Sequence, residues 1–87
     1  MNLSHRTLPV FWRYYNKLPL EIQDLADKNY ILLKQNPLHP SLHLKRVGSR
    51  WSVRVGLNYR ALALEKPDGL YWVWIGPHDE YDKILSR

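Results

Sequence analysis

Two proline steps, Asn36-Pro37 and His39-Pro40, cut this chain into halves that obey different patterns. Proline lacks a backbone donor and pushes its predecessor toward extended geometry, so no helix runs across either step. Before them, apolar residues recur at helical spacing; beyond them, they alternate with a period of two. A chain patterned this way belongs to the α+β class, with its helices and strands in separate stretches.

In the first half, Thr7 is placed to cap a helix whose opening turn accommodates Pro9, and Phe11, Tyr15 and Leu18 share one face. The Leu18-Pro19 step ends it. In the longer helix that follows, Ile22, Leu25, Ala26, Asn29, Leu32 and Leu33 trace a 3.6-residue stripe, so the two form a helical hairpin. In the second half, strands are expected at Leu42 to Val47, Trp51 to Val55, Tyr59 to Glu65 and Leu70 to Ile75, the last after a Lys66-Pro67-Asp68-Gly69 turn. Such short links dictate an antiparallel meander. The segment Asn2 to Thr7 reads as too short and polar for a strand, which limits the sheet to three or four strands. Asp79 is expected to cap a short final helix with Tyr81, Ile84 and Leu85 on one face. Residues 1–87 make a single domain, an N-terminal helical hairpin packed on the sheet.

Composition narrows the partners. Hydrophobic residues at 45% and aromatics at 13% exclude a disordered tail. The chain has no cysteine, hence no disulfide and no thiolate metal site, and no apolar run of the roughly 18 residues that a membrane span needs. A cytoplasmic protein with no membrane partner is the expectation. From Lys28 to Leu64 there is no acidic residue, while Lys28, Lys34, Lys45, Arg46, Arg50, Arg54 and Arg60 all fall inside that stretch. With a net charge of +5, this block calls for an anionic partner, either a phosphate backbone or an acidic peptide.

If Gly56-Leu57-Asn58 is a three-residue hairpin loop, Val55 pairs with Tyr59 and Arg54 stands across from Arg60 on one sheet face. Ser52 shares that face. Carried through the next turn, the register sets Arg60 opposite Ile75, Ala61 opposite Trp74 and Ala63 opposite Trp72. The small-against-large Ala/Trp face is then the one that receives the helices, leaving the arginine face open. His78, three residues past Ile75, is within chain reach of both arginines. Two guanidinium groups hold a phosphate bidentately and an imidazole moves a proton near neutral pH, a set suited to metal-free cleavage of a phosphodiester. Lys45, Arg46 and Arg50, with Ser52 on the arginine face, are candidates for RNA contacts. The plainer reading, solvated arginines or ion pairs with Asp79 and Glu80, stays open at this level. His39 and His43 are separated by Pro40 and do not make a helical metal pair, so no metal is expected.

Two segments, Val53-Arg54-Val55-Gly56 continuing to Tyr59-Arg60, and Ile75-Gly76-Pro77-His78 continuing to Tyr81, in this order after a helical hairpin, resemble the RelE/ParE family of bacterial toxins over most of the chain. The resemblance implies a type II toxin-antitoxin toxin, neutralised by a small antitoxin whose acidic or apolar segments cover the basic face. For the mRNA-cleaving members it implies an mRNA interferase working at the ribosome without a cofactor. Arg54 and Arg60 then hold the phosphate, His78 is the acid or base, and Tyr81 orients the nucleotide. Ser52 stands where such nucleases often carry a lysine, and Tyr81 follows His78 sooner than the family aromatic does. A non-enzymatic toxin of the ParE type directed at DNA gyrase, or a member that only binds its partner, is the alternative.

Overall fold

The computed structural model describes residues 4–86. Strand β1 (His5–Thr7) leads into helix α1 (Pro9–Tyr15) and the longer α2 (Leu20–Gln35). A single 3-10 turn, Pro40–Leu42, precedes strands β2 (Lys45–Val47), β3 (Arg50–Val55), β4 (Tyr59–Lys66) and β5 (Gly69–Pro77), and helix α3 (His78–Leu85) closes the order. The five strands form one sheet in the order β1-β5-β4-β3-β2. Strands β2 to β5 are the expected antiparallel meander, while β1 lies parallel to β5.

The first strand corrects the reading of the N-terminal segment, of which Asn2 and Leu3 lie outside the described residues. Its three residues are held by contacts that local propensity does not register. The Leu70 amide donates to the Ser4 carbonyl at 2.8 Å, and Tyr30 Oη donates to the His5 carbonyl at 3.2 Å. The His5 ring stacks on Trp72 at 6.1 Å and its Nδ1 accepts from Trp72 Nε1 at 3.1 Å. Gly69 permits this approach, because with φ at +144° a side chain there would run into the backbone and side chain of Ser4. With Thr7 paired to Trp72 inside β1, the N-cap of α1 is Leu8 and not Thr7. Pairing likewise carries β5 through to Pro77, so Pro77 caps α3 and Asp79 sits in its first turn, where its charge faces the helix dipole. The strand expected from Leu42 begins only at Lys45, because Leu42 closes the 3-10 turn and is fully buried in the core.

The hairpin register falls where the loop length puts it: Val55 pairs with Tyr59 and Arg54 with Arg60. The next pairing does not. Ala63 lies opposite Trp72 as expected, but Leu62 lies opposite Trp74, Ala61 opposite Ile75 and Arg60 opposite Gly76, with the register shifting between Leu62 and Ala63. A β-bulge at Val73 accounts for the shift, and one extra residue exchanges the faces beyond it. Trp72 joins the core under the helical hairpin with Phe11, Leu33, Val53, Ala61 and Ile75, while Trp74 joins Leu62 and Tyr81 on the opposite side. The two tryptophans therefore do not share the face that the sequence assigned them.

Candidate anion site on the arginine face

Alternation along β3 and β4 places Ser52, Arg54, Arg60 and Leu62 on the face away from the helical hairpin, and Gly76 continues the Arg54–Arg60 row into β5. Helix α3 starts at the end of that row. The His78 amide donates to the Asn58 carbonyl at 2.8 Å, tying the start of α3 to the β3–β4 hairpin and bringing Tyr81 against Arg60. The face is roofed in part rather than open, with Ser52 1%, Leu62 2%, Trp74 6% and Tyr81 4% exposed.

Like charges directly across a sheet repel, yet Arg54 and Arg60 are both half-buried there. The guanidinium carbon of Arg60 lies 5.7 Å from the centre of the Tyr81 ring, a cation–π contact that offsets part of the repulsion. Among the described residues neither arginine forms an ion pair. The Nε atoms of both are buried without a hydrogen-bond partner among the described residues. Buried charged donors are costly unless an acceptor meets them, and an acceptor suited to facing guanidinium groups is an oxyanion.

His78 completes the cluster. Its Nδ1 lies 3.3 Å from Asp82 Oδ2, one helical turn on. The two side chains are exposed and meet at ion-pair distance without hydrogen-bond geometry, so the contact is a salt bridge only while the ring carries both protons. The His78 and Tyr81 rings are 5.8 Å apart, and Tyr81 Oη donates to Ser52 Oγ at 3.2 Å in a buried hydrogen bond. Beneath them Gly76 makes room for the Trp74 indole, since a Cβ at position 76 would lie 2.6 Å from Trp74 Cζ2.

Arg54, Arg60, His78 and Tyr81 are thus brought together. Ser52 stands with them, but its hydroxyl is taken by Tyr81 and shut off from solvent. Lys45, across from Ser52 on the edge strand, is exposed on the same face, and Arg50 lies on it two residues before Ser52. Arg46 pairs with Trp51 in the opposite phase, and its Nη2 meets Glu65 Oε2 at 3.3 Å, a carboxylate that also accepts from Trp51 Nε1 at 2.7 Å. It lies away from the cluster. Two contributors escaped the sequence reading. Asp82 carried a legible signal, its four-residue spacing from His78 on a helix; the Asn58 carbonyl carried none.

No family model and no curated protein matches the sequence. Solved structures do match in fold. A copper-bound mutant toxin from Helicobacter pylori aligns with a TM-score of 0.69 at 20% identity, covering 90% of this chain and 97% of that one. The RelB-RelE antitoxin-toxin complex from Methanococcus jannaschii contains a chain that aligns at 0.70 with 16% identity, covering 91% and 96%. The isolated RelE toxin of E. coli aligns at 0.61 with 11% identity, covering 98% and 97%. The mixed five-stranded sheet with its helical hairpin and closing helix is the RelE/ParE-like toxin fold.

Proposed function

We propose that the protein is the toxin of a toxin-antitoxin pair and acts as a metal-independent endoribonuclease on mRNA, with the ribosome as its working environment. The observation that carries this reading is the facing Arg54–Arg60 pair, with two buried Nε donors unpartnered among the described residues and the Tyr81 ring in contact with both Arg60 and His78. The fold neighbours support the biological setting, since they include toxins and a RelB-RelE antitoxin-toxin complex. A cognate antitoxin rich in acidic and apolar residues is the expected partner of the basic face.

In the proposed reaction Arg54 and Arg60 clamp the phosphate and stabilise the charge that grows on its oxygens. His78 Nε2 takes the proton of the 2′-hydroxyl as that oxygen bonds to phosphorus. The bond to the 5′-oxygen breaks, and the leaving oxygen takes a proton from the imidazolium or from water. The products are a 2′,3′-cyclic phosphate and a 5′-hydroxyl. Asp82, 3.3 Å from His78 Nδ1, steadies the imidazolium. Tyr81, buried and bonded to Ser52, positions Arg60 and His78.

The test is incubation of the purified protein with a defined mRNA, with and without programmed ribosomes and without added metal, alongside His78→Ala. Cut ends that depend on His78 support the reading. Folded protein that cuts neither substrate while remaining toxic overturns it and moves the function to a non-enzymatic target such as DNA gyrase.

A further inference from the structure

One titratable side chain of β1 bonds the strand to the sheet. Trp72 Nε1 donates to His5 Nδ1 at 3.1 Å, and only an unprotonated nitrogen accepts such a bond, so the neutral ring keeps its proton on Nε2. We infer that β1 is an acid-released strap: when His5 takes up a proton, residues 4–8 leave the edge of β5 together while the other four strands stay paired.

The two rings are nearly parallel, 20° apart, but with centroids 6.1 Å apart they are slid past each other. The bond runs along the indole N–H, so Nδ1 stands at the positive edge of Trp72 and not over its π-face. A proton on Nδ1 therefore sets donor against donor, away from the place where a cation–π contact would hold the charge. The surroundings do not relieve it. From α2 come Tyr30, whose ring meets the imidazole edge-on at 6.4 Å and whose hydroxyl donates to the His5 carbonyl, and Lys34, whose ammonium lies 4.6 Å from the centre of the Tyr30 ring. The Lys34 charge opposes a second cation at His5. Asp27, also on α2, accepts from Tyr15 Oη at 2.8 Å. On the other face of the strand pair, Arg6 lies over Tyr71, whose hydroxyl donates to Asp68. Among the described residues no carboxylate pairs with His5.

The strand can leave alone because little holds it. It is an outer strand, paired on one side only, whereas β5 stays bound to β4 from Gly69 to Pro77. Backbone bonds mark its two ends, from the Leu70 amide to the Ser4 carbonyl at 2.8 Å and from the Leu8 amide to the Trp72 carbonyl at 3.0 Å. Helix α1 begins at Pro9, directly after Leu8, and Phe11 anchors it in the core, so the opening has a fixed limit. Short edge segments with few partners open at less cost than the whole fold. Release leaves the Leu70 donor and the Trp72 acceptor unpaired along β5, an edge able to take another strand. It also withdraws Thr7 from the border of the cavity beneath the helical hairpin.

The experiment is native-state hydrogen exchange followed by NMR over a range of pH on both sides of about 6.5, with and without low urea, each amide corrected for its intrinsic rate. The amides of Leu8 and Leu70 are expected to open more often than those of β3 and β4 and with little dependence on urea. Their opening should rise by up to about tenfold per pH unit below about pH 6.5, the slope of one proton. In His5→Gln, which keeps an acceptor for Trp72, the same opening is expected to stay flat with pH. Exchange of Leu8 and Leu70 in step with β3 and β4, at one urea slope, overturns the inference, because β1 then leaves only when the whole protein unfolds. Local opening that ignores pH in the wild type, or that keeps its pH slope in His5→Gln, overturns it as well, because His5 then does not gate the strand. The first two readings need only the wild type and stand even if His5→Gln does not fold.

Discussion

Arg54 and Arg60 occupy positions where ordinary folding stability argues against them, two half-buried cations facing each other with unpartnered Nε atoms. Replacing either by Met, which keeps length without charge, should leave stability unchanged or higher, while RNA cleavage falls by at least about a hundredfold. Urea denaturation and single-turnover cleavage measure the two sides. His78→Ala should lower cleavage by about a hundredfold or more, and Asp82→Asn by about tenfold, since the amide no longer stabilises the imidazolium. The paired rates separate the proton carrier from its positioning residue. Gly76→Ala brings a methyl group against Trp74 and should destabilise the protein by about 1–3 kcal/mol in the same urea assay. The facing of Arg54 and Arg60 was legible in the sequence because loop length and strand alternation are short-range rules. The commitment of Tyr81 to Ser52 was not, because it joins residues 29 apart.

At the scale of elements, β1 has the clearest physical signature. His5 is held below the usual histidine range, chiefly by burial and then by the positive charge of Lys34. The unfolded chain therefore takes up this proton first as pH falls. Stability contributed by neutral His5 is complete above about pH 6.5 and declines below it, until the folded-state pKa is passed. Urea midpoints at pH 7.5 and pH 5.5 should differ more for wild type than for His5→Gln, whose side-chain oxygen still accepts from Trp72. An equal change in both proteins contradicts this account. The missing strand in the sequence reading has the same origin: three residues of modest propensity become a strand because Trp72, Tyr30 and the Leu70 amide supply their partners. The helical hairpin needed no such help, since its apolar stripes and proline stops are local.

Across the whole molecule, the sheet separates a packing face from a charged face. The packing face leaves a cavity of about 70 Å³ between the helical hairpin and the sheet, bordered by Ala26, Ala61, Val53, Trp72 and Ile75. Ala61→Val adds two methyl-sized groups there at a strand position that favours β-branching, and should raise stability by about 0.5–1 kcal/mol in urea denaturation. On the charged face, binding of single-stranded RNA should weaken with salt at about −0.7 in log–log slope for each phosphate contact. Loss of Arg50 or Lys45 should flatten that slope by about one contact, whereas Arg46→Gln should leave it unchanged because Arg46 lies on the other face with Glu65.

What the sequence by itself determined is local: the two helices and their proline ends, the four-strand meander, and the confrontation of Arg54 with Arg60, each set by periodicity, turn chemistry and loop length. Tertiary structure decided the rest. The Val73 bulge sends Trp74 to the arginine face, where it packs with Leu62 and Tyr81, while Trp72 stays with the helices. One inserted residue leaves hydrophobic composition and spacing intact but reverses the face of everything beyond it, and only packing on both sides of the sheet selects where it goes.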